Sequence, residues 1–126
     1  MRADGDSDPG GFITHRSLCN SGATQIIMIN ILVLLIALHF IADFPFQGAW
    51  LGVGKATSWE LMVYHCLIYA GTFVVFAQFP WQLALVLFLS HLIIDPLKAR
   101  YKVIKHIWID QLLHLAVLAA IALYIY

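Results

Sequence analysis

From residue 25 onward the chain is a succession of long apolar runs separated by short polar or proline-containing breaks. The runs cover residues 25–44, 59–79, 81–97 and 108–126. Each is close to the ~20 residues that a helix needs to cross the hydrocarbon core of a bilayer. The pattern therefore predicts an all-α fold, a four-transmembrane-helix bundle over residues 26–126. Pro45, Pro80 and Pro96 mark span ends, because proline cannot donate to the helix ladder and disfavours helical geometry in the residue before it. Trp50, Trp59, Trp81, Trp108, Tyr124 and Tyr126 gather near those ends, as aromatic rings with a polar edge do at the boundary between lipid and water. Residues 1–25 differ: they are rich in Gly, Asp, Ser and Asn and lack the basic start and apolar core of a cleavable signal. They read as a flexible N-terminal tail, or as an over-long start ahead of a natural product that begins at Met28.

The polar residues inside the runs follow a rule of their own. Every aspartate after Met28 stands four residues from a histidine: His39 with Asp43, His91 with Asp95, and Asp110 with His114. That separation puts both side chains on one face of a helix. With five histidines in the stretch, an aspartate meets one at this spacing by chance roughly one time in ten, so three of three is a pattern.

Composition agrees with the spans and sets their direction. A chain of 126 residues with 62% hydrophobic and 11% charged content, and a mean hydropathy of +0.86, is one domain and lies outside the soluble range of about half apolar and a quarter charged. Formal charge is zero and no basic patch interleaved with aromatics occurs, which gives nucleic-acid binding no support. Cys19 falls in the tail and Cys66 in a span, so no disulfide is expected, and Cys66 reads as a small buried apolar residue. Lys98, Arg100, Lys102 and Lys105 lie between the third and fourth runs, and basic residues near span ends stay on the cytoplasmic side. Loop 98–107 is accordingly expected in the cytoplasm, together with the connection that carries Lys55, and both termini outside.

This topology brings ionisable groups from all four spans to one depth. Asp43 and Asp95 close the first and third spans, Asp110 and His114 open the fourth, and His65 lies about two turns into the second from the same side. An unpaired charge within a span costs at least ~2.5 to 3.5 kcal/mol on insertion scales, so such groups face inward and are compensated. A shared cation supplies that compensation. His39, Asp43, His65, His91, Asp95, Asp110 and His114 form a nitrogen and oxygen donor set without thiolate, which suits one or two divalent ions, zinc first, then manganese or iron. The plainer reading of any single pair is an interhelical hydrogen bond. His106, beside Lys105, reads as a solvated residue, and His15 as part of the tail. Gln47 continues the row of His39 and Asp43, Gln111 adjoins Asp110, and Lys98 and Arg100 follow Asp95; these four are candidates to orient a ligand or bind a substrate headgroup.

Taken in order, the segments His39-Phe-Ile-Ala-Asp43-Phe-Pro-Phe-Gln47, His65, Ser90-His91-Leu-Ile-Ile-Asp95-Pro-Leu-Lys98 and Asp110-Gln111-Leu-Leu-His114 resemble the DUF3307 family of small bacterial and phage integral membrane proteins. The resemblance covers about residues 28–126 and implies a compact helical membrane protein, with no established activity to carry over. It also implies a bacterial inner membrane. More distantly, the His-x-x-x-Asp elements are similar to those of YdjM-like membrane-bound proteins whose metal-dependent hydrolase activity is itself inferred.

The expectation that follows is a membrane-embedded, metal-dependent hydrolase acting on a lipid or lipid-linked substrate near the cytoplasmic leaflet, with Asp43, Asp95 or Asp110 as the general base. Ser90 points about 100 degrees away from His91 on a helix, which disfavours a serine nucleophile. Two alternatives use the same residues: a cation or proton transport protein, and a metal-stapled scaffold without catalysis. Membrane lipids are the expected partners, with a homo-oligomer as a further option.

Overall fold

The computed structural model describes the backbone of residues 11–125 and the side chains of residues 22–125. Five helices follow one another: α1 (Gly11–Asp43), α2 (Gly48–Gly54), α3 (Trp59–Ala77), α4 (Trp81–Ala99) and α5 (Ile107–Ile125). Four are long and apolar enough to cross a membrane, α1 over Gly22–Asp43 and α3, α4 and α5 over their full lengths. They close into a ring in which α1 and α4 each pack against α3 and α5, and side chains such as Asp43 and His91 meet across it. Short connections make neighbouring spans antiparallel. The polar ends of α1 and α4 and the polar starts of α3 and α5 therefore meet at one end of the bundle.

The inward face of each span repeats every four residues. α1 presents Leu35, His39 and Asp43; α4 presents Leu87, His91 and Asp95; α5, running the other way, presents Asp110, His114 and Leu118; α3 presents His65, Tyr69 and Phe73. All twelve are between 0% and 5% exposed. Four residues advance a helix by ~6 Å, so the interior is built in three levels. Asp43, His65, Asp95 and Asp110 form the first, His39, Tyr69, His91 and His114 the second, and Leu35, Phe73, Leu87 and Leu118 the third. Outward positions such as Val33, Val75, Ile93 and Leu123 are more than 60% exposed and apolar, which is a lipid-facing surface. Between helices in lipid the apolar level gains from close fit, since lipid tails solvate a leucine as well as a neighbouring helix does.

Local sequence sets the ends. Ser58 caps α3, its hydroxyl accepting from the Leu61 N–H at 3.4 Å. Gln78 ends the same helix in the left-handed conformation, with φ of 52°. Gly48, at φ +63°, turns the chain from α1 into α2, a conformation that glycine adopts without steric cost.

The backbone of residues 11–25, the later part of the N-terminal tail, is helical and continuous with the first span. Nothing between Pro9 and Pro45 interrupts a helix, and extending an existing helix fixes few dihedrals per hydrogen bond. Residues 1–10 of that tail lie outside the described residues, as do the side chains of His15 and Cys19. Pro96, read as an end of the third span, lies inside α4. Its ring removes one donor, but its carbonyl accepts from the N–H groups of Arg100 and Tyr101, both at 3.0 Å, and the last turn closes before the chain leaves the helix. The break after Pro45 is itself partly helical: α2 buries Leu51, contacts α3, and exposes Trp50 and Val53.

Candidate metal centre

The first and second levels of the interior together contain two groups of converging donor atoms. Asp43, His65, His91 and Asp95 each offer one ligand atom, all within 4.8 Å of one another, and Asp95, Asp110 and His114 do the same. Asp95 belongs to both. In the first group His65 Nε2 and His91 Nε2 are 2.8 Å apart. Asp43 Oδ1 lies 3.4 Å from His65 Nε2 and 3.7 Å from His91 Nε2, and Asp95 Oδ2 lies 3.3 Å and 4.0 Å from the same atoms. Zinc bonds of about 2.0 to 2.2 Å in a tetrahedron set donors ~3.3 Å apart. Two imidazole nitrogens and two carboxylate oxygens at these separations form a set that can hold such an ion with small adjustments.

Unpaired atoms point the same way. Asp43 Oδ1, Asp110 Oδ1 and His114 Nε2 are buried and take part in no hydrogen bond, although burying an acceptor without a partner is costly. His114 Nε2 and Asp110 Oδ1 are 3.7 Å apart. Each of these atoms belongs to a residue of one of the two groups, and the donor chemistry fits zinc, manganese or iron.

Two lysines stand at the rim. Lys55, in the turn after α2, is 8% exposed, with Nζ 2.6 Å from Asp95 Oδ2 and donating to His65 Nε2 at 3.2 Å. The Asp95 contact is an ion pair without an aligned hydrogen bond, since Asp95 Oδ2 accepts none. Lys98 donates to Asp110 Oδ2 at 2.6 Å; its side chain is 33% exposed while that of Asp110 is fully buried. Lys98 is thus the group through which the second cluster reaches the surface.

Of the seven predicted ligands, the structure brings six into the two groups and leaves His39 out. Gln111 Nε2 donates to Asp43 Oδ2 and to Asp110 Oδ2, both at 3.2 Å, which turns its Oε1 toward His39 Nε2 at 2.9 Å. An amide oxygen only accepts, so His39 carries its proton on Nε2, and its bare Nδ1 accepts from the Tyr69 hydroxyl at 3.0 Å. Both ring nitrogens are committed. His39 positions Gln111, and through it two carboxylates, without offering a lone pair. Gln111 thus bridges His39 to both carboxylates.

Two other candidates fall away from the centre. The row from Asp43 to Gln47 is broken by the turn at residues 44–47, and the Gln47 amide lies back over Gly52 of α2. Arg100 lies over the Trp59 ring, its guanidinium carbon 4.6 Å from the ring centre. Two contributors were missed. Lys55 carries only a topology signal in the sequence, and Tyr69, the four-residue successor of His65 on α3, lies outside the predicted set. Tyr69 stacks on His91 with ring centres 3.9 Å apart, and His91 stacks on His114 at 4.4 Å, so the second level fixes the imidazole planes. Cys66 is a free, buried thiol outside both groups, as expected.

The fold and centre define a class: a small four-span membrane protein whose helices bury imidazole and carboxylate groups at one end of the bundle. The chain belongs to the family described as "Protein of unknown function (DUF3307)", whose sequence model matches residues 31–126. No curated protein and no solved structure matches it.

Proposed function

We propose that the protein is a membrane-embedded, metal-dependent hydrolase that acts on a lipid or lipid-linked substrate at the cytoplasmic face, holding one or two divalent ions, zinc foremost. The observation that carries the reading is the shared Asp95, which joins two donor groups into one centre beside a half-exposed edge at Lys98. Paired divalent ions are a recurrent device for hydrolysis, and a bound ion supplies a water acidic enough to act as nucleophile at neutral pH. Asp43, His65 and His91 would hold the first ion, Asp110 and His114 the second, and Asp95 both. Gln111, His39 and Tyr69 would keep the carboxylates and rings in place.

Transport through a single copy is the weaker use of the same residues. The level of Leu35, Phe73, Leu87 and Leu118 closes the interior beyond the imidazoles with apolar side chains, three of them 0% or 1% exposed and Leu118 0%. A conducting path needs polar groups through the full thickness.

Metal analysis of the detergent-purified protein, followed by hydrolysis assays on chromogenic phosphate and carboxylic esters, tests the reading. Bound transition metal in the parent, lost together with hydrolysis in Asp95→Asn, is the expected result. Protein that takes up no transition ion after dialysis against zinc, manganese or iron overturns it.

A further inference from the structure

The charges at the centre name the kind of substrate. Three buried carboxylates, of Asp43, Asp95 and Asp110, face two ammonium groups, of Lys55 and Lys98, each 2.6 Å from its partner. Without ions the centre therefore carries one net negative charge. One divalent ion changes that to one positive charge, and two ions to three positive charges. Of the other charged groups near this end, Arg100 lies on the Trp59 ring, Glu60 accepts from the Tyr64 hydroxyl, and Lys102 and Lys105 are exposed in the loop between α4 and α5. Excess positive charge at the end of four apolar spans is unfavourable unless an anion joins it. A carboxylic ester or an amide brings no charge. A phosphoryl group brings up to two and offers several acceptor oxygens.

We infer that the substrate group is a phosphoryl oxyanion, and that Lys55 and Lys98 are its binding residues. This rests on the proposed metal centre and deepens it. The two ammonium groups now neutralise Asp95 and Asp110, the carboxylates of the second donor group. When divalent ions take over those carboxylates, both lysines are released a short distance from where they stand, one from each side of Asp95. Lysine is a common phosphate binder, acting as a compact point charge. The direction of approach is also given: Lys98 is 33% exposed and Lys55 8%, so the phosphoryl group comes in past Lys98 and its innermost oxygens meet Lys55. In the hydrolysis, the water oxygen bonds to phosphorus, the bond from phosphorus to the ester oxygen breaks, and the water proton ends on that leaving oxygen.

The experiment compares the parent, Lys55→Gln and Lys98→Gln, each purified in detergent and loaded with zinc, with metal content measured first. Binding is then measured by calorimetry with inorganic phosphate, and by flotation of the protein in nanodiscs of neutral lipid with and without added phosphatidic acid. The expected result is zinc content kept in both variants, zinc-dependent phosphate binding in the parent, and binding at least tenfold weaker in each variant. A preference for phosphatidic acid over free phosphate assigns the group to a lipid headgroup; the reverse preference assigns it to a soluble phosphate. Zinc-loaded parent that binds neither, or variants that bind phosphate within twofold of the parent, overturns the inference and leaves the metal centre standing. Parent that binds no zinc overturns both. A circular dichroism spectrum matching the parent shows that each variant is folded, and Lys55→Arg, which keeps the charge, restores part of the binding.

Discussion

His39 Nε2 lies 2.9 Å from Gln111 Oε1, and this bond separates His39 from the histidines that stand in the two donor groups. The imidazole is held between an amide oxygen and the Tyr69 hydroxyl, with no lone pair left for a cation. Its removal should cost stability and leave metal in place. His39→Ala strands the buried Tyr69 hydroxyl and the part-buried Gln111 amide and leaves a gap, together about 2 to 4 kcal/mol. Unfolding in detergent should show that loss while metal content stays at the parent value. Metal lost to the same degree as in Asp43→Asn would count His39 as a ligand.

Asp95 should matter more than any other carboxylate, because it is the residue common to both donor groups. Asp95→Asn is expected to empty the centre, whereas Asp110→Asn should empty only the second group and leave about one ion per chain if two are bound. Removing Asp95 also strands the Lys55 ammonium, a buried charge whose isolation is costly. The double variant Asp95→Asn with Lys55→Met separates the two effects: it should recover stability and still bind no metal. Mass spectrometry of the intact protein in detergent counts the ions directly.

The bundle and most of the centre could be read from the chain because both depend on short, regular spacings. Apolar runs of span length give the four helices, and a separation of four joins each aspartate to its histidine. The same spacing extends one step further, to Leu35, Leu87 and Leu118, but a leucine among leucines carries no contrast, so the three-level interior emerges only with the helices in place. Lys55 was illegible for a different reason. It belongs to a connection, and its arrival beside Asp95 depends on the reversal at Gly48 and the packing of α2 on α3. His39 shows the opposite error: its spacing from Asp43 is the same as in the other pairs, and only the hydrogen bond to Gln111, 72 positions away, decides its role. Pro96 misled because a proline's effect on a helix end is set by which carbonyls find donors, and its own carbonyl finds two.

Removing metal should loosen the whole bundle. Six buried donors from four helices converge on the two groups, and a ligand that binds only the folded state stabilises it in proportion to the logarithm of its excess over Kd. At a thousandfold excess that is ~4.1 kcal/mol. Chelator added to purified protein should lower the thermal midpoint by several degrees, and zinc should restore it, with magnesium doing so poorly because imidazole suits zinc and a hard, octahedral ion prefers oxygen. A midpoint unmoved by chelator in protein shown to contain metal would mean that the ion adds nothing to the fold.

The stretch after α1 should lie in the lipid boundary. Phe44, Phe46, Trp50 and Val53 are 45% to 74% exposed, while Leu51 is buried against the bundle and Lys55 reaches the centre. Both ends of the segment are tied to spans, at Asp43 and Trp59, so these apolar groups are held at the depth where aromatic rings are favoured. Trp50 fluorescence tests the point in a variant with Trp59, Trp81 and Trp108 changed to Phe, reconstituted in vesicles whose lipids carry bromine at different acyl positions. Quenching should be strongest for bromine near the headgroup and weak near the chain ends. Emission as red as that of tryptophan in water, without quenching by any of the brominated lipids, would place α2 away from the bilayer.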